Sequence, residues 1–203
     1  MKIALIGATG RGGSCILKEL VERGHQVTAI VRHPENVAAL PGVTAHFGDA
    51  LDGAALKGLI AGHDAVVSAV QFVPTDSETL IAAVRDSGVP RFIVMGGAAG
   101  LETAPGVKLI DSPHFPPEYR AEASKAIAFL ALLKQEPVLD WTFVSPAALI
   151  EHGERTTKFR VGGDQLLTDA DGNSRITFED YAIALVDELE GHAHPRQRIS
   201  VAY

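Results

Sequence analysis

Apolar residues along this chain follow two alternating patterns. Short, almost continuously apolar runs of strand length alternate with longer segments whose apolar residues fall on one face of a helix. The predicted strands are Lys2–Ile6, Gln26–Val31, Thr44–Phe47, Ala65–Val70, Arg91–Met95, Trp141–Val144 and Arg198–Val201. The predicted helices are Gly13–Arg23, Ala54–Ile60, Ser77–Ser87, Glu118–Lys134 and Phe178–Leu189. This order predicts an α/β fold, a Rossmann-like doubly wound parallel sheet with helices on both faces.

The first predicted strand leads directly into a glycine-rich turn. Gly7, Gly10 and Gly13 have the spacing G-x-x-G-x-x-G, and an amphipathic helix follows. One glycine permits the tight turn, another lets the backbone approach a pyrophosphate, and the third lets helix and strand pack closely. The helix N-terminus adds free N–H groups and a partial positive charge. The alternative is a merely tight strand-to-helix turn. The predicted dinucleotide contacts here are Gly7, Thr9, Gly10, Arg11, Gly12 and Gly13.

Charged residues near this turn indicate which nucleotide binds. An NAD site places a carboxylate near the end of the second strand, but here that strand ends in Val31-Arg32-His33. Arg32, together with Arg11 in the glycine turn, offers donors suited to a 2′-phosphate. The sequence therefore predicts NADP(H) in preference to NAD(H), unless both arginines are simply solvated surface residues.

The carboxyl ends of the other parallel strands are expected to meet at the same site. Asp49, with the Ala50 backbone, is a candidate contact for the adenine amino group, and equally a candidate for an acidic residue that begins a turn. The Ser145-Pro146 turn is expected to meet the nicotinamide amide through backbone groups, or else to be a plain strand exit. The remaining predicted contacts are Ser68, Ala69, Val70, Gly96 and Gly97.

The stretch Lys158–Ile176 interrupts the alternation of strands and helices. It contains Asp171-Gly172, which favours the tight turn of a β-hairpin. We expect a small C-terminal insertion on the substrate side, over the cofactor. The chain is predicted to form a single domain, 1–203, in which residues 146–190 contribute the substrate-side subregion.

Charge and composition exclude several classes of function. The net charge of −7 argues against nucleic-acid binding, and the longest apolar runs are far shorter than the ~20 residues that span a bilayer. With one cysteine, Cys15, we expect no internal disulfide and no zinc site built from cysteines, and the histidines show no ligand spacing. We therefore expect a cytoplasmic protein without a metal, a signal peptide or a membrane contact.

Longer motifs carry a family resemblance over essentially the whole chain. Gly7-Ala8-Thr9-Gly10-Arg11-Gly12-Gly13, Val31-Arg32-His33-Pro34 and Gly48-Asp49 resemble the NmrA-like, NAD(P)H-binding atypical short-chain dehydrogenase/reductases. Other motifs resemble the bacterial group provisionally named NADH-flavin reductases, which is similar to biliverdin reductase B. These motifs are Met95-Gly96-Gly97-Ala98, Phe115-Pro116-Pro117-Glu118-Tyr119, Asp140-Trp141-Thr142-Phe143-Val144-Ser145-Pro146, Gly153-Glu154-Arg155-Thr156 and Glu179-Asp180-Tyr181-Ala182. The resemblance implies a Rossmann-like domain, NADP(H) and a small, mostly apolar substrate pocket.

Two departures from the ordinary short-chain dehydrogenases affect the expected chemistry. Those enzymes use a Ser after the fifth strand and a Tyr-x-x-x-Lys pair, in which the tyrosine is the general acid. Here Gly96-Gly97 follows the fifth strand, and the group's usual serine is replaced by Gly100. Tyr119 and Lys125 are six residues apart, which places them about 240° apart on a helix. They therefore cannot form the usual pair.

The loop Asp111–Arg120 supplies the remaining catalytic candidates, Ser112, His114 and Tyr119, and is expected to overhang the nicotinamide. His114 is a candidate proton donor or an exposed loop residue, and Tyr119 contacts a substrate ring or anchors the helix start. Farther along the chain, Arg155, Thr156 and Thr157 are candidates for binding a substrate phosphate or carboxylate, or for stabilising the insertion.

Without a protein acid, hydride transfer to an acceptor that delocalises its charge is easier than carbonyl reduction. We therefore expect an NADPH-dependent reductase of a flavin, quinone or similar aromatic small molecule, with flavin as substrate. The alternatives are an NADP(H)-sensing regulatory protein of the NmrA type without turnover, and a redox isomerase or epimerase. The oligomeric state is expected to be a monomer or homodimer.

Overall fold

The computed structural model describes all 203 residues and contains twelve strands and five α-helices. The strands are β1 (Lys2–Ile6), β2 (Gln26–Val31), β3 (Val43–Phe47), β4 (Ala65–Ser68), β5 (Arg91–Met95), β6 (Glu102–Ala104), β7 (Val107–Lys108), β8 (Asp140–Ser145), β9 (Leu149–Glu151), β10 (Arg160–Gly162), β11 (Arg175–Thr177) and β12 (Gln197–Ala202). The helices are α1 (Arg11–Glu22), α2 (Gly53–Ile60), α3 (Ser77–Asp86), α4 (Arg120–Gln135) and α5 (Phe178–Gly191). None of these helices is long and apolar enough to cross a membrane.

Eight strands form the central sheet, in the order β10-β12-β8-β5-β4-β1-β2-β3. All of them are parallel except β10, which pairs antiparallel with β12 at one edge. The chain order reverses between β1 and β4, so the turns that follow these two strands diverge and leave a crevice at their carboxyl ends. The fold class expected from the sequence, a mostly parallel Rossmann-like sheet, is confirmed.

Both faces of the sheet are buried, because successive side chains of each strand point alternately into two apolar clusters. Along β1, Ile3 and Leu5 enter a cluster formed with α1 and α5. Ala4 and Ile6 enter the opposite cluster, which α2, α3 and α4 cover. Trp141 of β8 is buried in this second cluster and fills the core, as its place in an apolar strand predicts.

The segment before α5 departs from the sequence prediction. Asp171-Gly172 lies in a turn, in which the Asp169 carboxylate accepts hydrogen bonds from the Asp171 and Asn173 amides. The strands on either side do not pair with each other as a hairpin, because β10 joins the edge of the central sheet and β11 pairs parallel with β9. The predicted hairpin is therefore wrong. A turn signal is local, whereas the pairing of its flanks depends on which sheet edges are open.

A buried ion pair fastens the C-terminal part of α5 to the sheet. Arg91 Nη2 donates to Glu188 Oε1 at 2.9 Å, and Arg91 Nη1 donates to Thr142 Oγ1 at 2.8 Å. Burial by itself raises the pKa of Glu188, but hydrogen bonds from His194 and the charge of Arg91 outweigh it and hold the pKa below its ordinary value. The pair fixes the position of α5, whose first residue, Phe178, lies near the carboxyl ends of the strands.

Replacing Glu188 by glutamine leaves the buried Arg91 guanidinium with only the longer, more exposed contact to Asp140 at 3.3 Å, so we expect Glu188→Gln to lower the free energy of unfolding by about 3 kcal/mol at pH 7. Because the folded state depresses the pKa of Glu188, this stabilisation is complete above the unfolded pKa of about 4.3 and is lost progressively as the pH falls from there through the lower pKa of the folded state. Urea unfolding at pH 7 and at pH 3.5 measures both effects. The exposed Glu22→Gln serves as control, and an equal loss in both variants would contradict the prediction.

Candidate functional site

A cavity of about 540 Å³ opens where the strand order reverses. Its walls come from the turns after β1, β2, β3, β4 and β5, together with residues of α4 and α5. Eleven of the predicted cofactor contacts line it: Gly7, Thr9, Gly10, Arg11, Gly12, Arg32, Asp49, Ala50, Ala69, Val70 and Gly96. The parallel topology therefore brings most of the predicted residues to one place.

The glycine turn is packed too tightly for side chains. Gly7 has a φ of 85°, and a Cβ added there would lie 2.8 Å from the Ala69 carbonyl oxygen. A Cβ on Gly13 would lie 2.1 Å from the Gly7 carbonyl oxygen. Gly13 does not line the cavity. It acts instead as the third glycine of the pattern, by letting α1 pack closely against the turn.

The N-terminus of α1 offers an anion site. Gly10 is the N-cap, no side chain caps the helix, and its first turn contains no acidic residue. The first N–H groups of a helix have no intrahelical partners and carry the positive end of the helix dipole. Since Gly10, Arg11 and Gly12 line the cavity, this end of the helix fits a pyrophosphate.

Two cations line the nucleotide end of the cavity. Arg32 is exposed, and neither a salt bridge nor a hydrogen bond occupies its guanidinium in the structure. The Arg11 guanidinium lies 5.3 Å from the ring centre of Phe178. The Asp49 carboxylate accepts a hydrogen bond from the Leu51 amide at 3.0 Å, so it does begin a turn, and its contact with adenine remains a prediction.

Glu122 shapes the other end of the cavity. Its carboxylate oxygens accept hydrogen bonds from the backbone N–H groups of Phe72 and Val73, at 2.6 and 2.8 Å. These bonds tie the first residues of α4 to the loop after β4. Phe72 and Glu122 both line the cavity near Met95 and Gly96. The carboxylate therefore holds the wall in place.

None of the predicted catalytic side chains lines the cavity; the hydroxyls that do are those of Thr9 and Thr75, and the Thr75 hydroxyl donates to the Gln71 carbonyl at 2.7 Å. Ser112, His114 and Tyr119 all lie outside its walls, and Tyr119 is 62% exposed at the start of α4. None of the three lines the cavity, and the expectation that their loop overhangs a bound nicotinamide stays a prediction. Tyr181 is fully buried, which raises its pKa, and its hydroxyl donates to the Val144 carbonyl at 2.6 Å. It is not available as a general acid.

Four further predicted contacts do not line the cavity: Ser68, Gly97, Ser145 and Pro146. Ser68 and Ser145 are strand residues, 2% and 0% exposed, so their side chains are buried within the sheet layers. The expected contact of the Ser145-Pro146 turn runs through backbone groups and stays a prediction, as does the contact of Ser68. The Ser145 hydroxyl is buried without a hydrogen-bond partner.

The candidates for a substrate anion have structural partners instead. Arg155 forms an ion pair with Glu19 of α1, with an Nη2–Oε2 distance of 3.0 Å. The Thr156 hydroxyl and the Thr157 amide both donate to the buried carboxylate of Asp180. Within residues 146–190, Phe178 alone lines the cavity, so Lys158–Ile176 does not lie over it as expected.

Several lining residues were not predicted from the sequence: Gln71, Phe72, Pro74, Thr75, Met95, Glu122 and Phe178. Phe178 lies between the helix cap Thr177 and the motif that begins at Glu179, and this position is the one available signal. Glu122 has no such signal, because a glutamate in the first turn of a helix is common.

A family model described as NAD(P)H-binding matches residues 7–190, from the glycine turn to the end of α5. The chain belongs to this NAD(P)H-binding family. Its resemblance to the NmrA-like atypical short-chain dehydrogenase/reductases is thereby confirmed in family and fold. A cavity with an uncapped helix N-terminus and two free cations fits that assignment.

Three solved structures are similar over the whole chain. A Burkholderia pseudomallei protein provisionally described as exported is 44% identical, with a TM-score of 0.91 and 100% of both chains covered. A Bacteroides thetaiotaomicron protein provisionally described as an epimerase is 38% identical, with a TM-score of 0.95, over 100% of this chain and 96% of the other. A Streptococcus pneumoniae protein provisionally described as an NADH-flavin reductase is 36% identical, with a TM-score of 0.87, over 100% and 99%. These descriptions differ, so they establish the fold and not the reaction.

A methyl group at position 13 tests how much the site depends on close packing. Gly13→Ala must push α1 away from Gly7, so we expect a loss of about 1–3 kcal/mol of unfolding free energy and weaker NADPH binding. Urea unfolding and calorimetric titration measure the two effects. In the control Gly58→Ala, the new Cβ meets no atom within 4 Å, and stability should rise by about 0.5–1 kcal/mol. Similar behaviour of the two variants would contradict this packing.

Proposed function

We propose that this protein is an NADPH-dependent reductase that transfers hydride to a flavin, a quinone or a similar aromatic acceptor. The observation that carries the proposal is the contrast between the two ends of the cavity. Arg32 and an uncapped helix line the nucleotide end, whereas none of the predicted catalytic side chains lines the Met95–Gly96 end. Such a site suits an acceptor that takes a hydride without a protein acid.

The residues of the cavity fit a bound NADPH. Because the turn consists largely of glycines, a pyrophosphate can come close to its backbone, and the free N–H groups at the N-terminus of α1 can donate hydrogen bonds to that pyrophosphate. Arg32 and Arg11 supply charge-assisted donors for a 2′-phosphate. Bound NADPH supplies the hydride. Phe72, Met95 and Phe178 provide apolar walls that orient a flat ring and exclude water beside it.

The preference for NADPH over NADH is expected to depend on Arg32. We expect Arg32→Asp to raise the Kd for NADPH about 10- to 100-fold, because hydrogen bonds to a charged group are worth about 1.5–3 kcal/mol. The affinity for NADH should stay the same or improve. Fluorescence titration with each nucleotide measures the ratio. The control Arg175→Asp makes the same charge change on β11, outside the cavity, and an unchanged ratio in Arg32→Asp would refute the assignment.

The acceptor is tested by NADPH oxidation with FMN, FAD, riboflavin and simple quinones, with NADH in parallel. We expect turnover with at least one aromatic acceptor and faster turnover with NADPH. The Arg32→Asp variant, purified in the same way, should raise the KM for NADPH, which excludes a contaminating reductase. Tight NADPH binding without turnover across the whole panel would contradict the reductase and favour the NADP(H)-sensing alternative.

We further propose that the protein acts in the cytoplasm on a small molecule, as a monomer or homodimer, without binding nucleic acid. The net charge of −7 opposes association with phosphate backbones. NADPH itself is a cytoplasmic reductant, which is the reason for the proposed compartment. The Burkholderia pseudomallei protein, by contrast, is provisionally described as exported.

A further inference from the structure

Three side chains of the kind that bind metal ions converge beside the cavity. They are Cys15 on α1, His152 directly after β9, and Glu179 in the first turn of α5. The distance from Cys15 Sγ to His152 Nδ1 is 3.8 Å, and from Cys15 Sγ to Glu179 Oε1 it is 3.7 Å. His152 Nδ1 and Glu179 Oε1 are 3.1 Å apart. The three atoms thus form a triangle of nearly equal sides.

The size of this triangle matches a tetrahedral zinc site. With Zn–S near about 2.3 Å and Zn–N and Zn–O near about 2.0–2.2 Å, tetrahedral angles place the ligand atoms about 3.3–3.6 Å from one another. Each observed distance differs from that range by a few tenths of an ångström, which small side-chain rotations can correct. Thiolate, imidazole and carboxylate are also the ligand types that Zn²⁺ accepts.

We propose that Cys15, His152 and Glu179 bind a divalent transition-metal ion of the Zn²⁺ type, with a fourth position open to solvent. The open position follows from burial: the Cys15 side chain is 7% exposed, whereas that of His152 is 54% exposed. An ion therefore has a path to the site from the His152 side. A thiolate and a carboxylate together balance the charge of a divalent cation.

The geometry distinguishes a metal site from a nucleophilic triad. In a Cys–His–carboxylate triad, the imidazole uses one ring nitrogen for the nucleophile and the other for the carboxylate. Here both Cys15 and Glu179 lie near the same nitrogen, Nδ1 of His152. Three ligand atoms around one point can share a cation, but they cannot pass a proton along a chain.

Neighbouring groups hold two of the three ligands in position. The Gly153 amide donates to Glu179 Oε2 at 2.9 Å, which leaves Oε1 facing Cys15 and His152. The His152 ring packs against the Phe178 ring, with the centroids 5.0 Å apart. Supporting contacts of this kind orient the first ligands of a metal ion. The ion would join α1, the segment after β9 and α5 on the far side of Phe178 from the cavity.

Cobalt binding tests the site directly and does not depend on the proposed reductase activity. Co²⁺ is titrated into the full-length protein without an affinity tag, and the absorption spectrum is recorded. We expect one equivalent to give the visible bands of a four-coordinate ion and a near-ultraviolet thiolate-to-cobalt band. Because Cys15 is the only cysteine, the thiolate band reports on this residue alone. Added Zn²⁺ should displace the cobalt and remove both signals.

Variants separate this site from adventitious binding. Cys15→Ser should abolish the thiolate band, and His152→Ala should raise the Kd for Co²⁺ at least about tenfold, since even supporting residues of metal sites contribute that much. The exposed His46→Ala, on β3, should leave the Kd unchanged. Far-ultraviolet circular dichroism checks that each variant is folded. Absence of the thiolate band in the unaltered protein, or an equal loss in His152→Ala and His46→Ala, would overturn the proposal.

Discussion

The site depends first on how closely two backbone turns approach each other at the reversal of strand order. Gly7 lies against the carbonyl of Ala69, and Gly13 lies against the carbonyl of Gly7, with no room for a Cβ at either position. This stack of backbone joins β1, β4 and α1 at one point. It aims the N-terminus of α1 into the cavity, so the anion site follows from the absence of side chains. The parallel strands then bring the other turns to the same edge.

The carboxylates of α4 and α5 mostly serve the structure. Glu122 accepts two backbone N–H bonds of the loop after β4, and Glu188 balances the buried Arg91. Asp180 is buried and accepts hydrogen bonds from the segment before it, where Thr157 has a left-handed φ of 62°. These bonds fix α4 and α5 around the cavity. Both carboxylates that line the cavity, Asp49 and Glu122, accept backbone hydrogen bonds, and the chemistry we propose uses neither as a proton donor.

Phe178 connects the cavity with the Cys15–His152–Glu179 cluster. The Arg11 guanidinium and the His152 ring both pack near the Phe178 ring. Because Glu179 follows directly, the first turn of α5 contributes to both features. Any change in the position of this turn would therefore be felt in the wall of the cavity. The buried pair at the other end of α5 limits such movement.

The sequence by itself determined the order of the seven parallel strands and the five helices and the glycine turn, because apolar periodicity and turn geometry are local properties of the chain, whereas the five short strands β6, β7, β9, β10 and β11 were not predicted. The bounds of β1, β2 and β5 agree with the prediction to the residue. The nucleotide end of the cavity was also predictable, since its residues follow directly after strands whose carboxyl ends must meet. Only the tertiary structure decided which distant side chains come together. Cys15 and Glu179 are 164 positions apart, and Glu122 and Phe72 are 50 apart. The pairing of β10 and the exclusion of Tyr119 from the cavity were likewise decided by packing, because neither has a local signal.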